Sequence, residues 1–155
     1  MKKIQTILVA CDFSAYTAGV FAYAAELARN LKAALIVLNV INERDVEAVK
    51  RVEREYPVVS VKEYVAQLKE ERTRLMAALA KETRVEDLNL KRVFKIGIPF
   101  REILETIQEE NADMLVIGAK GRGNVAGVLF GSTAEKVFRR CPVPLLSVRP
   151  EGHGK

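Results

Sequence analysis

Met114-Leu115-Val116-Ile117-Gly118-Ala119-Lys120-Gly121-Arg122-Gly123 is the stretch that decides how this chain of 155 residues folds. Residues 114–117 are a short apolar run that reads as a strand buried on both faces. The run breaks at Gly118 into a loop, 118–131, that holds five of the nine glycines. A plain connection does not require that enrichment; backbone that a ligand approaches closely does. Ser132 and Glu135 then stand at capping-box spacing, which predicts a helix from Ser132 to about Arg140. Strand, glycine loop and helix N-terminus together make an anion-binding unit. Loop N–H groups form a nest, and the helix end adds its own unpaired N–H groups and its dipole. Lys120 and Arg122 add positive charge, and Ser132 and Thr133 add hydroxyl donors.

Working outward, the chain alternates strands and helices. Upstream, residues 90–96 read as a strand, Gly97 as a turn and Pro99 as the first position of a helix. Phe100, Ile103, Leu104 and Ile107 follow at i, i+3, i+4 and i+7. At the front, residues 4–10 are a nearly continuous apolar strand, and Asp12 and Ser14 offer cap oxygens for a helix over about 15–31. The stripe of that helix reads Ala18, Phe21, Ala22, Ala25 and Ala28. Residues 33–40 make the second strand, and the charged stretch 42–57 is partly helical until Pro57. A long amphipathic helix over 61–82 has the stripe Val61, Val65, Leu68, Leu75 and Leu79, with Glu70 and Arg74 as an i,i+4 pair. Downstream, Pro142 and Pro144 stop the last helix, 144–148 is a fifth strand, and 151–155 is a short tail. The reading is α/β: one domain over residues 1–150, an open parallel five-stranded sheet with helices on both faces, Rossmann-like. Ligands of such sheets bind beyond the strand carboxyl ends where the winding reverses. That directs attention to the loops after strands one and four.

Composition narrows the function. With 49% hydrophobic and 29% charged residues the chain is no disordered tail, and two cysteines, Cys11 and Cys141, make no disulfide scaffold. One histidine, His153 in the tail, leaves no histidine zinc site and no Ser-His-Asp triad. The longest wholly apolar run, 33–38, is far short of the ~20 residues of a spanning helix. The start MKKIQTILVAC resembles a lipoprotein export signal, but Gln5 and Thr6 interrupt its apolar part and Asp12 follows the cysteine. A buried strand in a cytoplasmic, reduced protein is the expectation. Net charge is +5, yet the signs are mixed and no block of five like charges occurs, which gives nucleic-acid binding little support.

The phosphate loop is of no widespread type. No G-x-x-x-x-G-K-[ST] occurs, no glycine follows strand one, and Gly121-Arg122-Gly123 with Gly127 misses G-x-G-x-x-G by one residue. A phosphorylatable aspartate after strand three is missing as well, since Lys95-Ile96-Gly97 stands there.

Gly118-x-x-Gly121, nine residues, then Gly131-Ser132 matches the G-2x-G-9x-G-[ST] ATP-binding signature, and on it the chain resembles the universal stress protein family. Ile7-Leu8-Val9-Ala10-Cys11-Asp12-Phe13-Ser14 is similar to that family's first strand and Asp-x-Ser turn. Gly97-x-Pro99, the 112–118 run and Cys141-Pro142-Val143-Pro144-Leu145-Leu146 are similar too, so the resemblance spans about residues 2–149. It implies an ATP-binding protein (or one that binds AMP or ADP) with Mg2+ or Mn2+ as a companion ion. It also implies a role in stress response or signalling and a homodimer. Asp12, beside Ala10, would lie near the adenosine and could touch a metal; Val40 would lie near the adenine. Gly118, Gly121, Gly131 and Ser132 would surround ribose and phosphates. Two positions depart from the family's commoner residues: Phe13 stands for glycine, which predicts a narrower pocket, and Asn39 for histidine. The fifth strand, 144–148, comes last, so it is expected at a sheet edge where two copies could pair. The sequence shows no convincing general base, so at most slow ATP hydrolysis is expected. The rival readings are a protein-interaction module of the same fold without nucleotide and a slow ATPase or phosphoryl-transfer enzyme.

Overall fold

A computed structural model gives the fold and describes residues 1–121, 126–127 and 130–151. Five strands, β1 (Thr6–Ala10), β2 (Ala34–Asn42), β3 (Leu90–Gly97), β4 (Met114–Gly118) and β5 (Leu145–Val148), form one parallel sheet in the order β3-β2-β1-β4-β5. Val9 at the centre lies in register with Val37 on one side and Val116 on the other. Both faces are covered. Consecutive residues Ile7, Leu8 and Val9 are therefore all fully buried, which is why β1 reads as a continuous apolar run and not an alternating one.

On one face lie α1 (Thr17–Leu31) and α3 (Val61–Glu82); on the other lie α4 (Pro99–Glu109) and α5 (Ser132–Arg140). Val20, Phe21, Ala24, Ala25 and Ala28 of α1 pack on Ile7, Val9, Val37 and Val116. Ile103, Ile107, Ala134 and Val137 pack on Leu8, Ile36, Leu38, Leu115 and Ile117. Each fully buried Leu or Ile contributes about 1.5–3 kcal/mol to this two-layer core. The charged stretch after β2 is helix α2 (Glu43–Glu55), started by Asn42, whose Oδ1 accepts from the Arg44 N–H at 3.0 Å. Ser60 starts α3 in the same way by accepting from the Glu63 N–H at 3.2 Å.

Three local expectations are corrected. The α1 stripe is rotated: Ala18 and Ala22 are exposed, and Val20 and Ala24 pack on the sheet beside Phe21, Ala25 and Ala28. In α3, Leu75 is 41% exposed, while Arg72 and Met76 are buried. At α5 the N-cap is Gly131 and Ser132 is already helical, so the expected capping box does not form.

At the amino ends of the central strands Asp113 ties β1 to β4. Its Oδ2 accepts from the Gln5 and Thr6 N–H groups at 2.9 and 3.0 Å, and Lys2 pairs with Oδ1 at 2.7 Å. The carboxyl ends are left to form a cleft.

Candidate functional site

The sheet order reverses between β1 and β4, and a cleft of about 480 Å³ opens beyond their carboxyl ends. Ala10, Asp12, Val40, Gly118, Lys120, Gly121, Gly131, Ser132 and Thr133, read separately from the sequence, all line it. Arg122, the remaining expected residue, lies outside the described residues, as do Gly123 and His153.

Asp12 organises the loop after β1. Its Oδ1 accepts from the Ser14 N–H at 2.9 Å and from the Thr17 hydroxyl at 3.2 Å. The N-cap of α1 is Tyr16, without a side-chain cap bond, so Asp12 braces the turn and is not the helix cap. Ser14 Oγ accepts weakly from the Tyr16 N–H at 3.4 Å. Across the cleft Gly121 comes so close that a Cβ there would collide with Asp12 Oδ2. Gly118 is also constrained: a Cβ would stand 3.0 Å from the Lys120 carbonyl oxygen and 3.2 Å from Val20.

Gly131 differs from both. Its φ of −68° and ψ of 165° suit any residue, and the nearest atom to an added Cβ is 3.8 Å away. Neither backbone nor neighbours require glycine there. Glycine does leave the first turn of α5 uncovered, where the N–H groups of Ser132, Thr133 and Ala134 have no partner within the helix. The Gly131 N–H donates to the Ala119 carbonyl at 2.8 Å and fixes the loop end against β4. Since no capping box forms, the Ser132 hydroxyl points from an exposed first-turn residue on the cleft rim.

The opposite wall is apolar: Ala10, Leu38, Val40, Pro99, Ile103 and Ile117. Arg44 and Asp45 of α2 also line the cleft. Among the described residues no three His, Cys, Asp or Glu side chains gather in a metal-binding group. A divalent ion here would lean on a ligand's own oxygens, with Asp12 as the protein carboxylate beside the glycine loop, a donor set that suits Mg2+. Burial pushes the Cys11 thiol up to about 12, which makes it an inert core thiol despite its place beside the site.

Two features escape a sequence reading. Phe13 does not narrow the cleft; it is absent from the lining, its φ is 56°, and it packs against the α1-side core. Under it lies Arg72, buried and lining the cleft, with its guanidinium carbon 5.6 Å from the Phe13 ring centroid. Arg72 Nη1 donates to Asn39 Oδ1 at 3.1 Å, and Asn39 Nδ2 donates to the Cys11 carbonyl at 2.7 Å. The available signal was a charged residue falling on the apolar stripe of α3, between Leu68 and Met76.

With this geometry in place, comparison with known proteins is informative. The sequence model of the universal stress protein family matches residues 3–149. A universal stress protein of Methanocaldococcus jannaschii is 30% identical over 154 residues, covering 94% of each chain. Its solved structure superposes with a TM-score of 0.76 over 97% of this chain and 99% of that one, at 26% identity. A universal stress protein solved in complex with cAMP has a TM-score of 0.62 at 22% identity, covering 96% of this chain and 98% of its own. One from Archaeoglobus fulgidus in complex with dAMP has a TM-score of 0.63 at 20% identity, covering 94% and 98%. At those two identities the likeness concerns the fold.

Proposed function

The chain belongs to the universal stress protein family, and from that premise we propose that its switch-point cleft binds an adenine nucleotide, ATP with a divalent ion being the preferred form. The observation that carries the reading is Gly131, a glycine that the protein's own packing and backbone do not need, placed over the open first turn of α5. The phosphates lie there, held by the Ser132 and Thr133 amides and hydroxyls and approached by Lys120. Arg122 belongs to the same loop. Asp12 accepts from the ribose hydroxyls or meets the metal, and Ala10, Leu38 and Val40 form the wall for the base. Relatives of the same fold solved with cAMP and dAMP support the adenine class. Mg2+ or Mn2+ would arrive with the nucleotide, since Asp12 alone offers too few donors to hold it.

The nucleotide is a signal here and not a substrate consumed at speed. Hydrolysis needs an acceptor for the proton of water, and Asp12, the carboxylate beside the glycine loop, already holds Ser14 and Thr17. The protein acts in stress response or signalling within the cytoplasm. Among the described residues no helix is long and apolar enough to cross a membrane.

Two tests bear on the ligand. Mass spectrometry of small molecules released from purified protein should find an adenine nucleotide. Thermal shifts with AMP, ATP and cAMP, with and without Mg2+, should rise for at least one; flat curves for all three at millimolar concentration sink the reading.

The same proposal includes a homodimer through β5. That strand sits at the sheet edge, paired among the described residues with β4 alone. The Leu115 and Ala119 N–H groups donate to the Pro144 and Val148 carbonyls, so residues 144, 146 and 148 face β4 and residues 145 and 147 face outward. Ser147→Pro therefore removes an outward N–H while keeping the β4 ladder. Light scattering at micromolar concentration should report a dimer for the parent and a monomer for Ser147→Pro; a variant that stays dimeric moves the interface off this edge.

A further inference from the structure

We infer that Arg72 is a positioning residue for the cleft: with Asn39 and Phe13 it latches the loop after β1 in the shape that presents Asp12 to the glycine loop. This rests on the reading of the cleft as an adenine-nucleotide site.

Phe13 is the starting point. A bulky residue in the left-handed region, here at φ 56°, is an outlier that persists only where the surroundings over-determine it. It directly follows Asp12, whose Oδ1 is bonded to the Ser14 N–H one residue beyond Phe13. A return of Phe13 to negative φ would turn the peptide between Asp12 and Ser14 and break that bond. The surroundings that forbid the return come from α3 and β2. The guanidinium of Arg72, 7% exposed, lies across the Phe13 ring at 5.6 Å. Its Nη1 bonds Asn39 Oδ1, and fully buried Asn39 passes the contact to the Cys11 carbonyl. The Cys11 N–H in turn donates to the Leu38 carbonyl at 2.9 Å, so the peptide units flanking Cys11 are both fixed to β2.

The residue type fits the task. A buried cation is costly unless well bonded, and an apolar residue would satisfy the α3 stripe at lower cost. What arginine adds is a planar face for the ring and a fork of donors for the amide, which lysine lacks. Both partners of the latch are of the type it needs: Phe13 supplies the ring and Asn39 the acceptor.

The experiment uses four variants of the full chain: Arg72→Met, Arg72→Lys, Phe13→Gly and the double variant Phe13→Gly with Arg72→Met. Glycine adopts the left-handed conformation without a latch. Hydrogen exchange of the Ser14 amide is read by NMR without ligand, and AMP and ATP affinities by calorimetry. Arg72→Met and Arg72→Lys should each lower Ser14 protection and nucleotide affinity about tenfold or more, the scale of a lost charge-assisted bond. The double variant should recover both to the level of Phe13→Gly alone. Unchanged Ser14 protection in Arg72→Met overturns the latch, whatever the affinities do. Recovered protection with unrecovered affinity also overturns it, because Arg72 would then touch the ligand directly. If the parent binds no adenine nucleotide while the Ser14 loss and recovery hold, the site reading fails and the latch stands. Should Arg72→Met not fold, Arg72→Lys with and without Phe13→Gly makes the same comparison.

Discussion

After β1 the chain turns on side chains: Asp12 Oδ1 gathers Ser14 and Thr17, and Arg72 and Asn39 hold Phe13 and Cys11. After β4 it turns on their absence: a Cβ at Gly121 would collide with Asp12, one at Gly118 would be tight, and Gly131 leaves helix α5 uncovered. One wall of the cleft is fixed by bonds from distant elements, and the other is shaped by what it omits. A binding site for a charged, flexible ligand benefits from both, since a positioned carboxylate and an open row of amides each lower the ordering cost of binding.

The sharpest way to break that contrast compares two glycines of the second wall. Gly121→Ala forces its Cβ onto the Asp12 carboxylate. We expect a stability loss of about 1–3 kcal/mol from overpacking, and nucleotide affinity lowered by roughly 100-fold as Asp12 is displaced. Gly131→Ser should behave in the opposite way in the folded protein. Serine is a slightly better N-cap than glycine, so stability should rise by about a few tenths of a kcal/mol. Its hydroxyl would accept from the α5 amides and compete with phosphate there, so affinity should fall. Chemical denaturation and calorimetry on both variants check this, and equal destabilisation by the two would erase the distinction drawn between the glycines.

Asp12→Ala tests the first wall. The change removes a carboxylate that braces its own loop and faces the cleft. Loss of one charge-assisted contact predicts an affinity decrease of about 1.5–3 kcal/mol, and Asp12→Asn, which keeps an acceptor for the Ser14 N–H, should retain more of the stability than of the affinity. Affinity equal to the parent in both variants would leave Asp12 as a brace only.

These walls were unequally legible in the sequence. The glycine wall is local, its residues separated by fixed short intervals, so spacing alone brought Gly118, Gly121, Gly131 and Ser132 to one place. The parallel sheet followed from short apolar runs alternating with helices, and the edge place of β5 from its coming last; the strand order itself is not written in the sequence. The side-chain wall is assembled across 59 positions, from Phe13 to Arg72, and no periodicity links them. Helix phases also slipped where small residues leave the stripe undecided: with five alanines in α1, Ala18 and Ala24 look alike until packing against the sheet decides which one is buried. The missing capping box at α5 has a similar cause, since Ser132 and Gly131 are both acceptable N-caps and the Gly131–Ala119 bond decides between them.

Phe13 allows a smaller and cleaner test of strain. Replacing it by alanine or glycine removes the same ring, but only glycine is at ease at φ 56°. In ordinary loop positions alanine is the more stabilising of the two, because glycine loses more conformational freedom. Here the order should reverse, with Phe13→Gly more stable than Phe13→Ala by about 1 kcal/mol. Thermal denaturation of the pair decides it, and alanine at or above glycine would mean that the left-handed turn is not maintained in solution.

The last comparison sets the two ends of the β1–β4 pair against each other. At the carboxyl ends the strands hold the cleft; at the amino ends Asp113 holds the strands. The bond from Lys2, followed by those from the Gln5 and Thr6 N–H groups, keeps the Asp113 carboxyl below the usual aspartate range against the opposing effect of burial. A carboxyl depressed in the folded state contributes stability above its unfolded pKa and loses that contribution as pH falls through the folded value. The loss from Asp113 therefore begins below about pH 4 and continues to more acid conditions. Asp113→Asn removes this titration, so its stability should fall less steeply than the parent's on acidification, and the two curves should converge. Nucleotide affinity at neutral pH should be unchanged, because Asp113 lies at the far end of the strands and does not line the cleft. Denaturation midpoints from pH 7 down to 3, with calorimetry at pH 7, measure both quantities. An affinity loss in Asp113→Asn would show that the amino-end tie reaches the site through β1 and β4, and that the two ends do not act separately.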